Sequence, residues 1–298
     1  MLDSAAHTLI QSLPSAPHRL PLLIVGDVHG CAKELHQLIE LAKTHLPRFQ
    51  LVLVGDLFTK GPDPVGVFEL IQEHSALCIK GNHDWALWST LQTLARTPGF
   101  SNPRPIPTHT RQTLHLIRYH RRGILHLLEG LPHAVTTEVV APAHQIGWEP
   151  RYPLIIVHAG IDPVKGLLQT TERMLLTARY VKWDQMKRLV LVPSGHRAEA
   201  LGQEIPCAES RFRWHELHQG PELIVFGHDA KQGLFRKTLP TGRPICVGID
   251  TGCTYGGSLT GYFPELDLAI QVRAQRKYFD VRKNAILLRP RYGLKSRE

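Results

Sequence analysis

Apolar runs that stop abruptly at a glycine and a polar residue recur along this chain: LLIVGD at 22–27, LVLVGD at 51–56 and ALCIKGNHD at 76–84. Runs of this length without alternation predict strands buried on both faces. Between the first two, Leu35, Leu38, Ile39, Ala42 and Leu46 fall at helical spacing on one face, which makes the stretch a β-α-β unit. Pro64 opens a second helix carrying Val65, Phe68 and Ile71, and the arrangement repeats.

Residues 85–134 are helical in composition and are interrupted by a proline-rich loop at 97–110. LIIVHAGI at 154–161, ELIVFGHD at 222–229 and PICVGIDTG at 244–252 predict three more buried strands. LTGYFPE and LDLAIQV then alternate apolar and polar residues as an antiparallel hairpin does. Each buried run presents polar residues at its carboxyl end, where open α/β sheets place their ligands.

Composition narrows this picture only a little. The chain has 298 residues with 43% hydrophobic content, and one large α/β domain is expected. A net charge of +9 and a pI near 9.5 favour polyanionic partners, nucleotides and RNA among them. The basic residues are scattered, however, and the tightest group is Arg118, His120, Arg121 and Arg122. Five cysteines without a CxxC pairing indicate a reducing compartment. The amino terminus has no signal-like apolar run and no stretch approaches the roughly 20 residues of a membrane span, so a cytoplasmic protein without a membrane partner is expected.

The residues that carry chemistry stand just beyond the strands. Asp27, His29, Asp56, Asn82, His158 and His228 all sit immediately after apolar runs, and each could bind a metal ion. Asp27 and His29, separated by one residue, can emerge on the same side. A carboxylate such as Asp56 has two oxygens with which to bridge two cations, Asn82 offers a neutral carbonyl oxygen, and the histidines offer imidazole nitrogen. This mixed oxygen and nitrogen set suits manganese, iron or zinc better than calcium, and no ligand cysteine supports a zinc finger. Two such ions roughly 3.5–4 Å apart form a clamp for in-line attack at phosphorus.

In order, GDVHG, GDLFTKGPD, GNHD, VHAG and FGHD resemble the motifs of the calcineurin-like metallophosphoesterases over residues 22–265. That superfamily includes the Ser/Thr phosphoprotein phosphatases and the symmetrical diadenosine tetraphosphatases (ApaH). The resemblance implies a metallophosphoesterase four-layer sandwich, a β-sandwich flanked by helices with the dimetal site at one edge. It implies an N-terminal extension at 1–20, the phosphoesterase domain at 21–282 and a basic tail at 283–298. Asp27 and His29 would hold one metal and Asn82, His158 and His228 the other, with Asp56 between them. The two divalent ions would be manganese first, with iron, zinc, cobalt or magnesium as substitutes. His83 would protonate the leaving oxygen after attack by a metal-bound hydroxide.

Protein phosphatases carry Asp-Arg where this chain has Thr59-Lys60, and they usually read GNHE where this chain has Asp84. With the segment GIDTGCTYGGSLT at 248–260, these departures move the resemblance toward the ApaH-like group. Lys60 and Arg179 are the expected phosphate-binding residues, and Tyr255 is placed to stack on a base or pack in its turn. The expected reaction is hydrolysis of a phosphoanhydride in a nucleoside polyphosphate such as diadenosine tetraphosphate, with capped RNA as an extension and no obligate protein partner. A Ser/Thr phosphoprotein phosphatase is the main alternative, followed by an inorganic polyphosphatase, and a binding protein without activity stands last.

Overall fold

The structure is a computed structural model that describes residues 9–15, 18–96, 106–142, 145–192 and 211–287. Most of the predicted loop at 97–110, Cys207 and the tail from 288 onward lie outside the described residues.

Two sheets face one another. The first runs β14-β13-β2-β3-β4, from β2 (Leu22–Val25), β3 (Gln50–Leu53), β4 (Leu77–Cys78), β13 (Ser258–Phe263) and β14 (Leu268–Arg273). The second runs β1-β5-β6-β10-β12-β11, from β1 (Ile10–Ser12), β5 (Ala134–Val140), β6 (Arg151–Val157), β10 (Leu223–Phe226), β11 (Phe235–Thr238) and β12 (Pro244–Gly248). β2, β3 and β4 are parallel, as are β6, β10 and β12, so each sheet ends in a row of polar residues on one side. β13 and β14 form the expected antiparallel pair. β1, within the stretch expected to precede the domain, adds a parallel edge strand beside β5.

The central strands lack alternation because both faces are covered. Leu22 and Ile24 join Val52, Val54, Leu154, Ile156, Leu223 and Val225 in the core between the sheets. Leu23, Val25, Leu51 and Leu53 turn the other way, toward the helices. At about 25 cal/mol per Å² of apolar surface removed from water, each such side chain stabilises the fold by roughly 1.5–3 kcal/mol.

The helical layer over the first sheet contains α1 (Ala32–His45), α2 (Pro64–Glu73), α3 (Asn82–Arg96), α4 (Thr108–Leu116) and α5 (Arg121–Gly130). α1 buries Leu35, Leu38, Ile39 and Ala42 as its spacing predicts, and it ends one residue before Leu46. α2 begins at Pro64, and the Asp63 carboxylate caps it by accepting a hydrogen bond from Gly66 N at 2.9 Å. The fourth layer, over the second sheet, is smaller. It consists of α6 (Glu172–Thr177), the single turn α7 (Trp214–Leu217) and the strands β7 (Tyr180–Trp183), β8 (Leu189–Val192) and β9 (Phe212–Arg213). Trp214, fully buried against Phe226, anchors this layer. The sandwich has the expected four layers. A last two-stranded hairpin, β15 (Phe279–Asp280) and β16 (Ala285–Ile286), returns to α4. Among the described residues, no helix is long and apolar enough to cross a membrane.

Candidate metal centre

Loops leaving parallel neighbours are laced together by their backbones. His29 N donates to Asp56 O at 2.7 Å and Gly30 N to Leu57 O at 2.8 Å, which sets the loop after β2 beside the loop after β3. Gly227 N donates to His158 O at 2.9 Å and does the same for β10 and β6. His29, Asp56, Lys60 and His228 all adopt positive φ (48, 53, 69 and 68°). Non-glycine residues rarely enter that region, and such strain is held in place by surrounding structure, most often at functional sites.

The two sheets meet through these loops. His228 N donates to Asp27 Oδ1 at 3.0 Å, and His158 Nδ1 donates to Val54 O at 3.0 Å. All six expected ligands, together with His83, therefore lie at one edge of the sandwich. Donor atoms of Asp27, His29 and Asp56 lie within 4.8 Å of one another. Asp56 turns one oxygen to each half of the site, with Oδ2 3.4 Å from His29 Nε2 and Oδ1 3.6 Å from His158 Nε2. That is the geometry of a bridge. Asn82 Oδ1 lies 3.0 Å from His158 Nε2.

The residues fit cations. Because Val54 O can only accept, the His158 proton sits on Nδ1, and Nε2 is left with a lone pair facing the Asn82 and Asp56 oxygens. Acceptors that face one another without a proton call for a positive ion between them. His228 Nε2 is buried without a hydrogen-bond partner. His29 Nε2 accepts from the Lys60 ammonium at 3.2 Å, so its lone pair already faces a cation.

The electrostatics agree. Burial, followed by the charges of Asp250 and Asp56, holds the Asp27 carboxyl well above the ordinary range. Burial would also raise Asp56, but His158, His83 and Lys60 outweigh it and bring its pKa below the usual value. Burial lowers His29, His158 and His228, keeping these imidazoles neutral as metal ligation requires, and it lowers His83 as well. Asp250, which follows β12, is a member of this group that sequence reasoning passed over. Burial lifts its pKa to about 6. Its signal is a variant of theirs: in PICVGID the carboxylate also closes an apolar run, but one residue further from the glycine than in LLIVGD or LVLVGD.

The remaining expected residues divide. Lys60, only 8% exposed, points into the donor set and lies 5.6 Å from the centre of the Tyr255 ring. Arg179 stands between α6 and β7 rather than on a helix, and its Nη2 donates to His228 O at 2.8 Å. Its Nε lies 3.5 Å from Asp229 Oδ1, so the guanidinium braces the His228 loop at the margin of the site. Asp84, which distinguishes GNHD from GNHE, is fully buried, and both its oxygens serve the backbone. Its oxygens accept from Leu57 N at 2.9 Å and Gly81 N at 3.0 Å, tying two motif loops together, and burial raises its pKa to about 7.

Comparison with known proteins agrees with this arrangement. The calcineurin-like phosphoesterase family model matches residues 20–232. A symmetrical bis(5′-nucleosyl)-tetraphosphatase of Coxiella burnetii is 30% identical over 275 residues, covering 80% of this chain and 86% of that protein. One from Edwardsiella ictaluri is 27% identical over 287 residues, covering 80% and 90%. An asymmetrical bis(5′-nucleosyl)-tetraphosphatase PrpE of Oceanobacillus iheyensis is 27% identical over 263 residues, covering 81% and 88%. Among solved structures, one described as a candidate diadenosine tetraphosphatase superposes with a TM-score of 0.65 at 26% identity, covering 90% of this chain and 99% of that one. With motifs, sandwich and carboxylate-imidazole cluster in agreement, the chain belongs to the calcineurin-like phosphoesterase family, and it is a metal-dependent phosphohydrolase built around a dimetal centre.

Proposed function

We propose that this enzyme hydrolyses a phosphoanhydride bond in a nucleoside polyphosphate, with bis(5′-nucleosyl) tetraphosphates as its main substrate class. The observation that carries this reading is the likeness, over about four-fifths of the chain, to relatives named for that substrate. Lys60 supports it, because an ammonium inside the donor set can neutralise a polyphosphate oxygen as a point charge.

Asp27 and His29 would hold one ion, Asn82, His158 and His228 the other, and Asp56 would reach both. Manganese suits this oxygen and nitrogen set. Two divalent ions held there would supply polarisation of the phosphoryl group and a water-derived nucleophile at neutral pH. Lys60, and Arg179 from the margin, would orient the phosphate chain. As the oxygen of water joins phosphorus and the bridging P–O bond breaks, a proton on the leaving oxygen eases its departure, and His83 would give it. Burial and Lys60 hold that imidazole below its ordinary pKa in the substrate-free site. The negative charge of an incoming polyphosphate would work against this lowering and favour the protonated form.

Capped RNA carries a related polyphosphate bridge and is a second substrate to examine. Turnover of diadenosine tetraphosphate, capped RNA, inorganic polyphosphate and a phosphoserine peptide should be compared with manganese present. The dinucleotide is expected to give the highest kcat/KM. A preference for the phosphopeptide would replace this reading with a protein phosphatase.

A further inference from the structure

The His83 ring contacts two other imidazoles, His29 with ring centroids 5.3 Å apart and His109 at 5.7 Å with the planes at 66°. His29 belongs to the metal cluster. His109 does not, and its setting is more elaborate than packing requires. It is buried at the first turn of α4, and its Nδ1 donates to Asn284 Oδ1 at 2.8 Å. Its backbone N donates to Asn284 O at 3.0 Å. One asparagine, 175 residues away in sequence, therefore grips both the main chain and the ring of His109.

Asn284 sits at φ 48° in the turn of the β15-β16 hairpin. That hairpin is fastened to α4 a second time by Gln112, whose Nε2 donates to Ile286 O at 3.2 Å and whose Oε1 accepts from Ile286 N at 2.8 Å. Phe279 also meets the His109 ring edge-on at 5.6 Å and in turn contacts Tyr255 at 5.9 Å. The His109 ring is thus fixed in rotation by Asn284 and in translation by Phe279.

We propose that His109, locked by Asn284, is a positioning residue that holds the His83 ring in the orientation from which it delivers a proton to the leaving oxygen. This rests on the assignment of His83 as the acid. An imidazole carried in the first turn of a helix can rotate about two side-chain bonds, and a proton donor must lie within hydrogen-bond reach of its target. A rigid ring in contact with it restricts that freedom before substrate arrives. The hairpin at the carboxyl end of the phosphoesterase fold then has a purpose in the chemistry, as a brace for the acid.

The test uses the full chain with manganese and two aryl phosphates, phenyl phosphate and 4-nitrophenyl phosphate. 4-Nitrophenolate leaves without protonation, and phenolate does not. His83→Ala should lower kcat for phenyl phosphate by about 10²-fold or more, the ordinary contribution of a general acid, and should affect 4-nitrophenyl phosphate far less. His109→Ala and Asn284→Ala should show the same selectivity to a smaller degree, about tenfold on kcat for phenyl phosphate, with KM and bound manganese unchanged. Asn284→Ala leaves the His109 ring in place and carries the test if His109→Ala misfolds. Equal losses on both substrates in the His109 and Asn284 variants, beside a selective loss in His83→Ala, would overturn the positioning role and leave the acid assignment standing. An unselective loss in His83→Ala itself overturns both.

Discussion

Gly227 and Gly81 show how closely single residues control the candidate centre. A Cβ at Gly227 would stand 2.1 Å from Asp27 Oδ1 and 2.8 Å from Val54 Cγ2. One at Gly81 would stand 2.3 Å from both Asp56 N and Asp56 Oδ1. The glycines in FGHD and GNHD thus leave the room into which the two carboxylates fold, a reason for these motif positions that is independent of turn geometry. Gly227→Ala should swing Asp27 out of line and weaken manganese binding by about 10- to 100-fold, as displaced supports of metal ligands do. Titration calorimetry would measure it, and unchanged affinity would show that Asp27 does not hold an ion. Asp84 carries the complementary lesson. As a letter in GNHD it reads as one more motif carboxylate, yet it binds two backbone N–H groups and never reaches the cleft. Nothing in its spacing separates a carboxylate that faces cations from one that faces amides.

At the scale of elements, strands and the long helices are legible from periodicity, whereas the short outer layer on the second sheet is not. α7 is one turn, and its His215 is buried between Trp214, Phe226 and Phe235 with Gln232 as its hydrogen-bond partner at 3.2 Å. Burial lowers its pKa to about 4. The folded state therefore prefers the neutral ring, while the unfolded chain titrates at its ordinary value near 6.5. Between those two values the unfolded state binds more protons, so this contribution is fully present above about pH 6.5 and is lost as pH falls toward 4. The full effect is about 3 kcal/mol at 1.36 kcal/mol per unit. Urea melts of the wild type and His215→Gln across this window should show a steeper pH slope in the wild type. Parallel slopes would mean that His215 titrates normally. The β15-β16 hairpin is likewise an element that periodicity cannot reveal, since two-residue strands carry no pattern.

For the whole molecule, the centre is a joint between two halves of the chain. Asp27, Asp56 and Asn82 come from the first sheet, and His158, His228 and Asp250 from the second. Burial and the neighbouring carboxylates hold Asp27 and Asp250 above the ordinary range, and Lys60, with Arg179 at Asp250, only partly offsets them. Cations at this joint should therefore clamp the sandwich. At a manganese concentration of 100 times Kd, one site adds about 2.7 kcal/mol of stability. Scanning calorimetry should give a higher Tm with manganese than after chelation, and Gly227→Ala should shrink the difference. An identical Tm in both conditions would contradict a cation site at the joint.

The sequence by itself determined the buried strands, the helical face of α1, the family and the polar residues at the end of each strand. Those features are local: a strand covered on both faces must be apolar throughout, and the residue after it must be polar to face the cleft. Only the tertiary structure decided that Asp56 turns an oxygen to each side, that Asp250 joins the carboxylates, that Asp84 serves the backbone, and that Asn284 holds His109 beside His83. Each depends on which loop the packing of two sheets brings against which, as in the contact of His228 with Asp27, 201 residues apart in sequence.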